Sequence, residues 1–186
     1  VDRSKAEGQR NRAILETLYS CGLRVSELVS LKLSDLYFDE GFIKVEGKGS
    51  KQRLVPISPR AINEIKLYFL DRNRIEVKKD YEDFVFVSQR RGKGLSRIMI
   101  FHMIKELAQN AGITKNISPH TFRHSFATHL LEGGANLRAI QCMLGHESIA
   151  TTEIYTHIDR NMLRSEIIEH HPRNIKYRRE KESGFH

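Results

Sequence analysis

Residues 118–157 read SPHTFRHSFATHLLEGGANLRAIQCMLGHESIATTEIYTH, and the punctuation of this stretch decides the class of fold. Ser118-Pro119 is a helix-start signal: the serine hydroxyl accepts from an orphaned backbone N–H, and proline suits the first helical position. The helix it opens is predicted to run to Leu131 and to stop at Gly133-Gly134. Asn136 caps a second helix, which ends at Gly145, and Ser148 caps a third. Phe122, Phe126 and Leu130 recur at helical spacing and form a core-facing stripe. His120 and Arg123, three apart, then share the opposite face near the positive end of the helix.

Working outward toward the N-terminus, the period changes twice. Ser96 caps a helix expected to run to about Ala111 and to end at Gly112. Residues 59–70 read as a helix on Ile62, Ile65, Leu67 and Phe69, followed by a charged loop through Lys79-Asp80. Phe42-Ile43-Lys44-Val45 and Leu54-Val55-Pro56-Ile57 read as strands joined by the hairpin Gly47-Lys48-Gly49-Ser50-Lys51, with Phe84-Val85-Phe86-Val87 as a third strand. A first helix carries Ile14, Leu15, Leu18 and Tyr19 and closes at Gly22; a short second one begins at Ser26-Glu27-Leu28-Val29. Toward the C-terminus, Met162, Leu163, Ile167 and Ile168 mark an amphipathic helix stopped by Pro172. The reading is a mostly α domain with a small antiparallel β-sheet, an α+β fold, over residues 1–172. Residues 173–186 are read as a polar, disordered tail.

Composition bounds the partners. The 186 residues include 31 Lys and Arg against 23 Asp and Glu, a net charge of +8, which favours polyanions such as nucleic acid or an anionic surface. Cys21 and Cys142 have no ligand spacing and are expected as reduced thiols in a cytoplasmic protein. No apolar stretch approaches the roughly 20 residues a membrane span needs, and the polar start VDRSKAEGQR is not a signal peptide. That start has no Met and enters a helix at once, as a piece of a longer protein would.

Several residues have chemical readings that compete with plainer ones. His120 and Arg123 form a cationic pair at a helix start, which suits a phosphate; a half-buried His beside a surface Arg is the alternative. Arg24, in the turn Gly22-Leu23-Arg24-Val25-Ser26-Glu27, is either in a helix-terminal salt bridge or held by Glu27 to present its fork to a phosphate. Lys48 at the hairpin tip is an exposed turn lysine or a mobile proton donor. His146 after Gly145 reads first as a cationic C-terminal cap, and Tyr155 is one of six tyrosines. A metal reading of His120, His124 and His129 lacks the HExxH pattern and any completing Cys or Asp, and Arg123 among them repels a cation. Gly47-Lys48-Gly49 lacks the GxxxxGK[ST] spacing of a nucleotide loop.

In order, Arg24, Lys48, His120-x-x-Arg123, His146 and Tyr155 give a pattern that resembles the tyrosine recombinase (phage integrase) family. The stretches GLRVSELVSLKLSDL, EGKGSKQRLVPI, the 118–157 segment and EHHPR are similar to the bacterial Xer branch, XerD type, from about Arg10 to Arg173. The resemblance implies a catalytic domain that cuts and rejoins DNA, with Tyr155 as nucleophile. It implies Arg24 and Arg123 as a phosphate clamp joined by His146, Lys48 as proton donor, and His120 assisting proton transfer. Lys51, Arg53, Arg90, Arg91 and Arg97 are expected to hold duplex phosphates. It implies no metal and no cofactor. The implied partners are a double-stranded recombination site, a second Xer-type recombinase in a tetramer on DNA, and a septal DNA translocase, with no membrane insertion. The implied settings are chromosome dimer resolution or mobile-element integration. The family's N-terminal DNA-binding domain has no counterpart in these residues, and nothing matches the tail after Arg173. A type IB topoisomerase-like enzyme and a DNA-binding fragment inactive without its N-terminal domain are the alternatives.

Overall fold

The computed structural model describes residues 7–110, together with 112, 121, 123, 124, 127, 128 and 132. Within residues 7–110, four α-helices, α1 (Gly8–Cys21), α2 (Val25–Val29), α3 (Pro59–Arg72) and α4 (Arg97–Asn110), accompany three strands, β1 (Leu36–Tyr37), β2 (Phe42–Glu46) and β3 (Gln52–Pro56). The strands form one antiparallel meander in the order β1-β2-β3. Thr121, Arg123, His124, Ala127, Thr128 and Glu132 are helical, in agreement with the helix expected after Ser118-Pro119. The helices expected after Asn136 and Ser148, and the stripe from Met162 to Ile168, lie outside the described residues.

The local signals explain where the helices start and stop. Gly22 closes α1, donating its N–H to the Leu18 carbonyl at 3.0 Å. Ser58 accepts from the Ala61 N–H at 3.1 Å ahead of Pro59, the same cap-and-proline signal seen at Ser118-Pro119. Ser96 accepts from the Met99 N–H at 3.2 Å and so caps α4 as its sequence implies.

The core lies between α1, α3 and one face of the sheet, with Ile14, Leu18, Leu28, Ile43, Val55, Ile65 and Phe86 sealed from solvent. The face of α3 that turns inward carries Ala61, Ile65 and Tyr68, while Leu67 points outward. Because α1 is packed along most of its circumference, its polar residues are buried too and must find partners. Gln9 donates to the Glu64 carbonyl and carboxylate at 3.1 and 2.8 Å, Arg12 pairs with Glu64 at 3.1 Å, and Arg60 pairs with Glu16 at 3.4 Å. A polar seam thereby fixes the register of α1 on α3.

The third strand expected at Phe84–Val87 is not a strand. The segment makes only isolated bridges, Lys32 with Phe84 and Val87 with Gly94, and the third strand of the sheet is Leu36–Tyr37. Val85, Phe86 and Val87 are all buried, so a continuous apolar run is present without a ladder beside it. Neighbouring loops and side chains satisfy its backbone instead. The Val85 N–H donates to the Leu31 carbonyl at 3.0 Å, and the Val87 N–H donates to the Tyr68 hydroxyl at 3.1 Å. Arg10 donates to the Val87 carbonyl at 3.3 Å, and Arg72 to the Phe84 carbonyl at 2.8 Å. Stacking of Tyr68 on Phe86, centroids 5.6 Å apart, completes the anchorage.

Candidate active site

Glu27 stands at the centre of the site. It is the third residue of α2, its side chain 1% exposed, and it accepts from the Arg24 backbone N–H at 2.8 Å. That bond satisfies one of the orphan donors at the start of a very short helix. A carboxylate so buried must be paired, and three guanidiniums gather round it. Arg53 grips it with both terminal nitrogens, Nη1 on Oε2 and Nη2 on Oε1, the second at 3.0 Å. Arg24 Nη1 lies 3.9 Å from Oε2 and Arg123 Nη1 lies 3.8 Å from Oε1, both beyond hydrogen-bond reach. Arg123 also donates to the Gly22 carbonyl at 3.0 Å, across 101 positions of chain. The turn that ends α1 thus presents Arg24 from one side and receives Arg123 from the other.

The electrostatics follow from three cations around one anion. Burial works against ionisation of Glu27, but the hydrogen bond and charge of Arg53, with the Arg24 N–H and guanidinium, outweigh it and hold the carboxyl below its ordinary value. Arg123 shows the excess of positive charge. Burial, then repulsion by Arg24 and Arg53, lowers its pKa to about 10 against the pull of Glu27. Among the described residues, three guanidiniums thus face one carboxylate.

Of the expected catalytic residues, the structure brings Arg24 and Arg123 together and sets Lys48 at the exposed tip of the β2–β3 hairpin. His120, His146 and Tyr155 lie outside the described residues. Of the expected phosphate-holding residues, Lys51, Arg90, Arg91 and Arg97 are exposed, Arg90 and Arg91 on a turn closed by Ser88 N–H to Lys93 carbonyl at 2.7 Å. Arg53 is placed differently: its side chain is 9% exposed and points inward to Glu27. A signal for this exists in the strand register. Arg53 pairs with Val45, whose side chain is in the core, and directly paired residues share a face of the sheet. An inward arginine on a core-facing position requires a buried acid, and Glu27, read only as the partner of Arg24, is that acid.

Among the described residues no group of three or more His, Cys, Asp or Glu could hold a metal ion; His124 is exposed, while His120 and His129 lie outside them. No helix among them is long and apolar enough to cross a membrane.

Two arginines meet at one buried carboxylate beside a short hairpin, on a helical domain with a three-stranded meander, and residues 1–162 match the phage integrase family: the chain belongs to it. Within that family it is similar to the tyrosine recombinase XerD of Chlorobaculum tepidum, 51% identical over 164 residues, which are 88% of this chain and 54% of the relative. The chain spans about half the length of the curated relatives it matches. A crystal structure of XerA recombinase superposes with a TM-score of 0.70 at 37% identity, over 89% of this chain and 60% of that one. XerH site-specific recombinase bound to its difH substrate, before cleavage, gives 0.68 at 31%, over 85% and 45%.

Proposed function

We propose that this chain is the catalytic domain of a site-specific DNA recombinase that cuts and rejoins strands through a covalent bond to Tyr155. The convergence of Arg24 and Arg123 on one buried, cation-rich site carries the reading. Likeness to XerD relatives and to a XerH complex with its DNA site supports duplex DNA as the substrate.

In the reaction, the Tyr155 phenolate oxygen bonds to a backbone phosphorus while the bond from phosphorus to the 5′ oxygen breaks. The 3′ end is left as a phosphotyrosyl ester, and the departing 5′ oxygen takes a proton from Lys48. Charge that builds on the non-bridging oxygens falls between the Arg24 and Arg123 forks, with His146 donating to the same phosphate. His120 assists proton transfer at the tyrosine, whose ordinary pKa near 10 makes the neutral phenol a poor nucleophile. The ester conserves the bond energy, so a 5′-hydroxyl from a partner duplex reverses the step without ATP. On this reading a second recombinase subunit supplies the partner strand, and chromosome dimer resolution or mobile-element integration is the setting.

The test is incubation with a suicide duplex, followed by a denaturing gel. A covalent adduct is expected with the chain as it stands and in EDTA, and none with Tyr155→Phe at unchanged duplex affinity. An adduct that persists in Tyr155→Phe overturns the assignment.

A further inference from the structure

Arg53 was expected on the phosphate-facing surface, yet its fork closes on the buried carboxylate that also faces both clamp arginines. The position of Arg53 in the chain gives this pair a second consequence. Arg53 lies on β3 five residues after Lys48, where the hairpin has just returned to its ladder: Glu46 pairs with Gln52, and the Gly47 N–H donates to the Lys51 carbonyl at 2.7 Å. Beyond that bond Lys48, Gly49 and Ser50 are exposed, and a methyl placed on Gly49 would meet nothing within 4 Å. At its root the reverse holds. A methyl on Gly47 would lie 3.4 Å from both Arg53 Nη1 and Glu27 Oε2, so the backbone leading into Lys48 rests on the ion pair itself.

We infer that Arg53 is a positioning residue, locking the Lys48 hairpin to the Arg24–Arg123 clamp through Glu27. This inference rests on the proposed recombinase reading. One carboxylate serves two ends of the reaction. Its hydrogen bonds to Arg53 set where the hairpin root lies, and its charge, 3.8 and 3.9 Å away, also faces the two clamp forks, Arg123 being bonded to the Gly22 carbonyl as well. With Arg53 gone, Glu27 turns to Arg24 and Arg123, and the hairpin keeps its strands but loses the anchor that sets the reach of Lys48. The predicted defect lies in proton donation to the leaving oxygen, more than in phosphate binding.

That distinction can be measured. In a 5′-bridging phosphorothiolate duplex, a sulfur leaves as thiolate and needs no proton donor, so a defect confined to proton donation disappears on it. Arg53→Gln is expected to lower single-turnover cleavage of the ordinary duplex about 100-fold or more, the scale of a lost general acid. On the phosphorothiolate it should recover to within about tenfold of the unmodified chain, as should Lys48→Ala. Arg24→Gln, a clamp variant, should stay slow on both substrates. If Arg53→Gln is unfolded at the assay temperature, Arg53→Lys, which keeps the charge and loses the fork, is judged by the same comparison. Full speed on the ordinary duplex, or an equal deficit on both, overturns the positioning role. No cleavage of either duplex by the unmodified chain instead overturns the recombinase reading on which it rests.

Discussion

At the scale of single residues, the decisive group is a carboxylate, although the expected chemistry belongs to cations and a phenol. Glu27 is buried, ionised and shared, and removing it takes the paired carboxylate from Arg53 and the nearby one from Arg123, both largely buried. Breaking a buried pair of this kind costs on the order of 3 to 5 kcal/mol, because the remaining guanidinium loses a charged partner that water replaces poorly. The pH dependence has a definite sign. The carboxyl is held below its ordinary value of 4.5, so folding is favoured by its ionised form. Its contribution is complete above that value and is lost as pH falls through the lower, folded-state value. Glu27→Gln should therefore be less stable than the unmodified chain by a full margin at pH 7. The margin should shrink as pH drops below about 4.5, the ordinary value of the group. Urea unfolding at a series of pH values reads this directly, and a margin that stays constant down to pH 3 rules out Glu27 as the buried, ionised hub.

At the scale of elements, what was legible is what local chemistry alone dictates. Gly22, Ser96 and the Gly47–Lys51 hairpin could be read because a cap or a turn is decided by residues within a few positions of one another. The Phe84–Val87 segment could not, since a buried run has the same apolar pattern whether its N–H groups meet a strand or the Tyr68 hydroxyl. Nor could the engagement of Arg53, whose partner lies 26 positions away and is settled by strand register. The turn that follows Val87 carries a constraint of its own. Gly92 sits at φ 64°, and a methyl there would lie 2.3 Å from the Glu76 carbonyl oxygen, with the Lys78 N–H bonded to the Gly92 carbonyl at 2.8 Å. Left-handed backbone and overpacking together make Gly92→Ala cost at least about 2 kcal/mol. For a domain of this size that is a fall in Tm of roughly 4–8 °C. Gly49→Ala, also at positive φ but in open space, should cost only about 1–2 kcal/mol. Equal melting temperatures for the two variants would show that the Arg90–Arg91 turn is not clamped against Glu76.

For the whole molecule, a net charge of +8 predicts affinity for a polyanion, but the charges divide into two populations. Arg90 and Arg91 are exposed on their turn, whereas Arg53 is closed over Glu27 and neutralised by it. Only the first kind can displace counterions from a duplex. Each phosphate contact steepens the fall of log affinity with log salt by about 0.9, so the salt slope counts cations that reach the backbone. Replacing Arg90 and Arg91 together by Ser should weaken duplex binding regardless of sequence and lower the magnitude of the slope by about 2. Arg53→Gln removes the same kind of side chain and should leave the slope unchanged. Fluorescence anisotropy between about 50 and 200 mM salt, the range over which such contacts dominate, measures both. A slope that falls by about 1 in Arg53→Gln would return this residue to the DNA surface and detach it from Glu27. A slope unaffected in the double variant would show that the 88–94 turn faces away from the duplex, leaving Lys51 and Arg97 as the exposed members of the expected phosphate-holding set to test next.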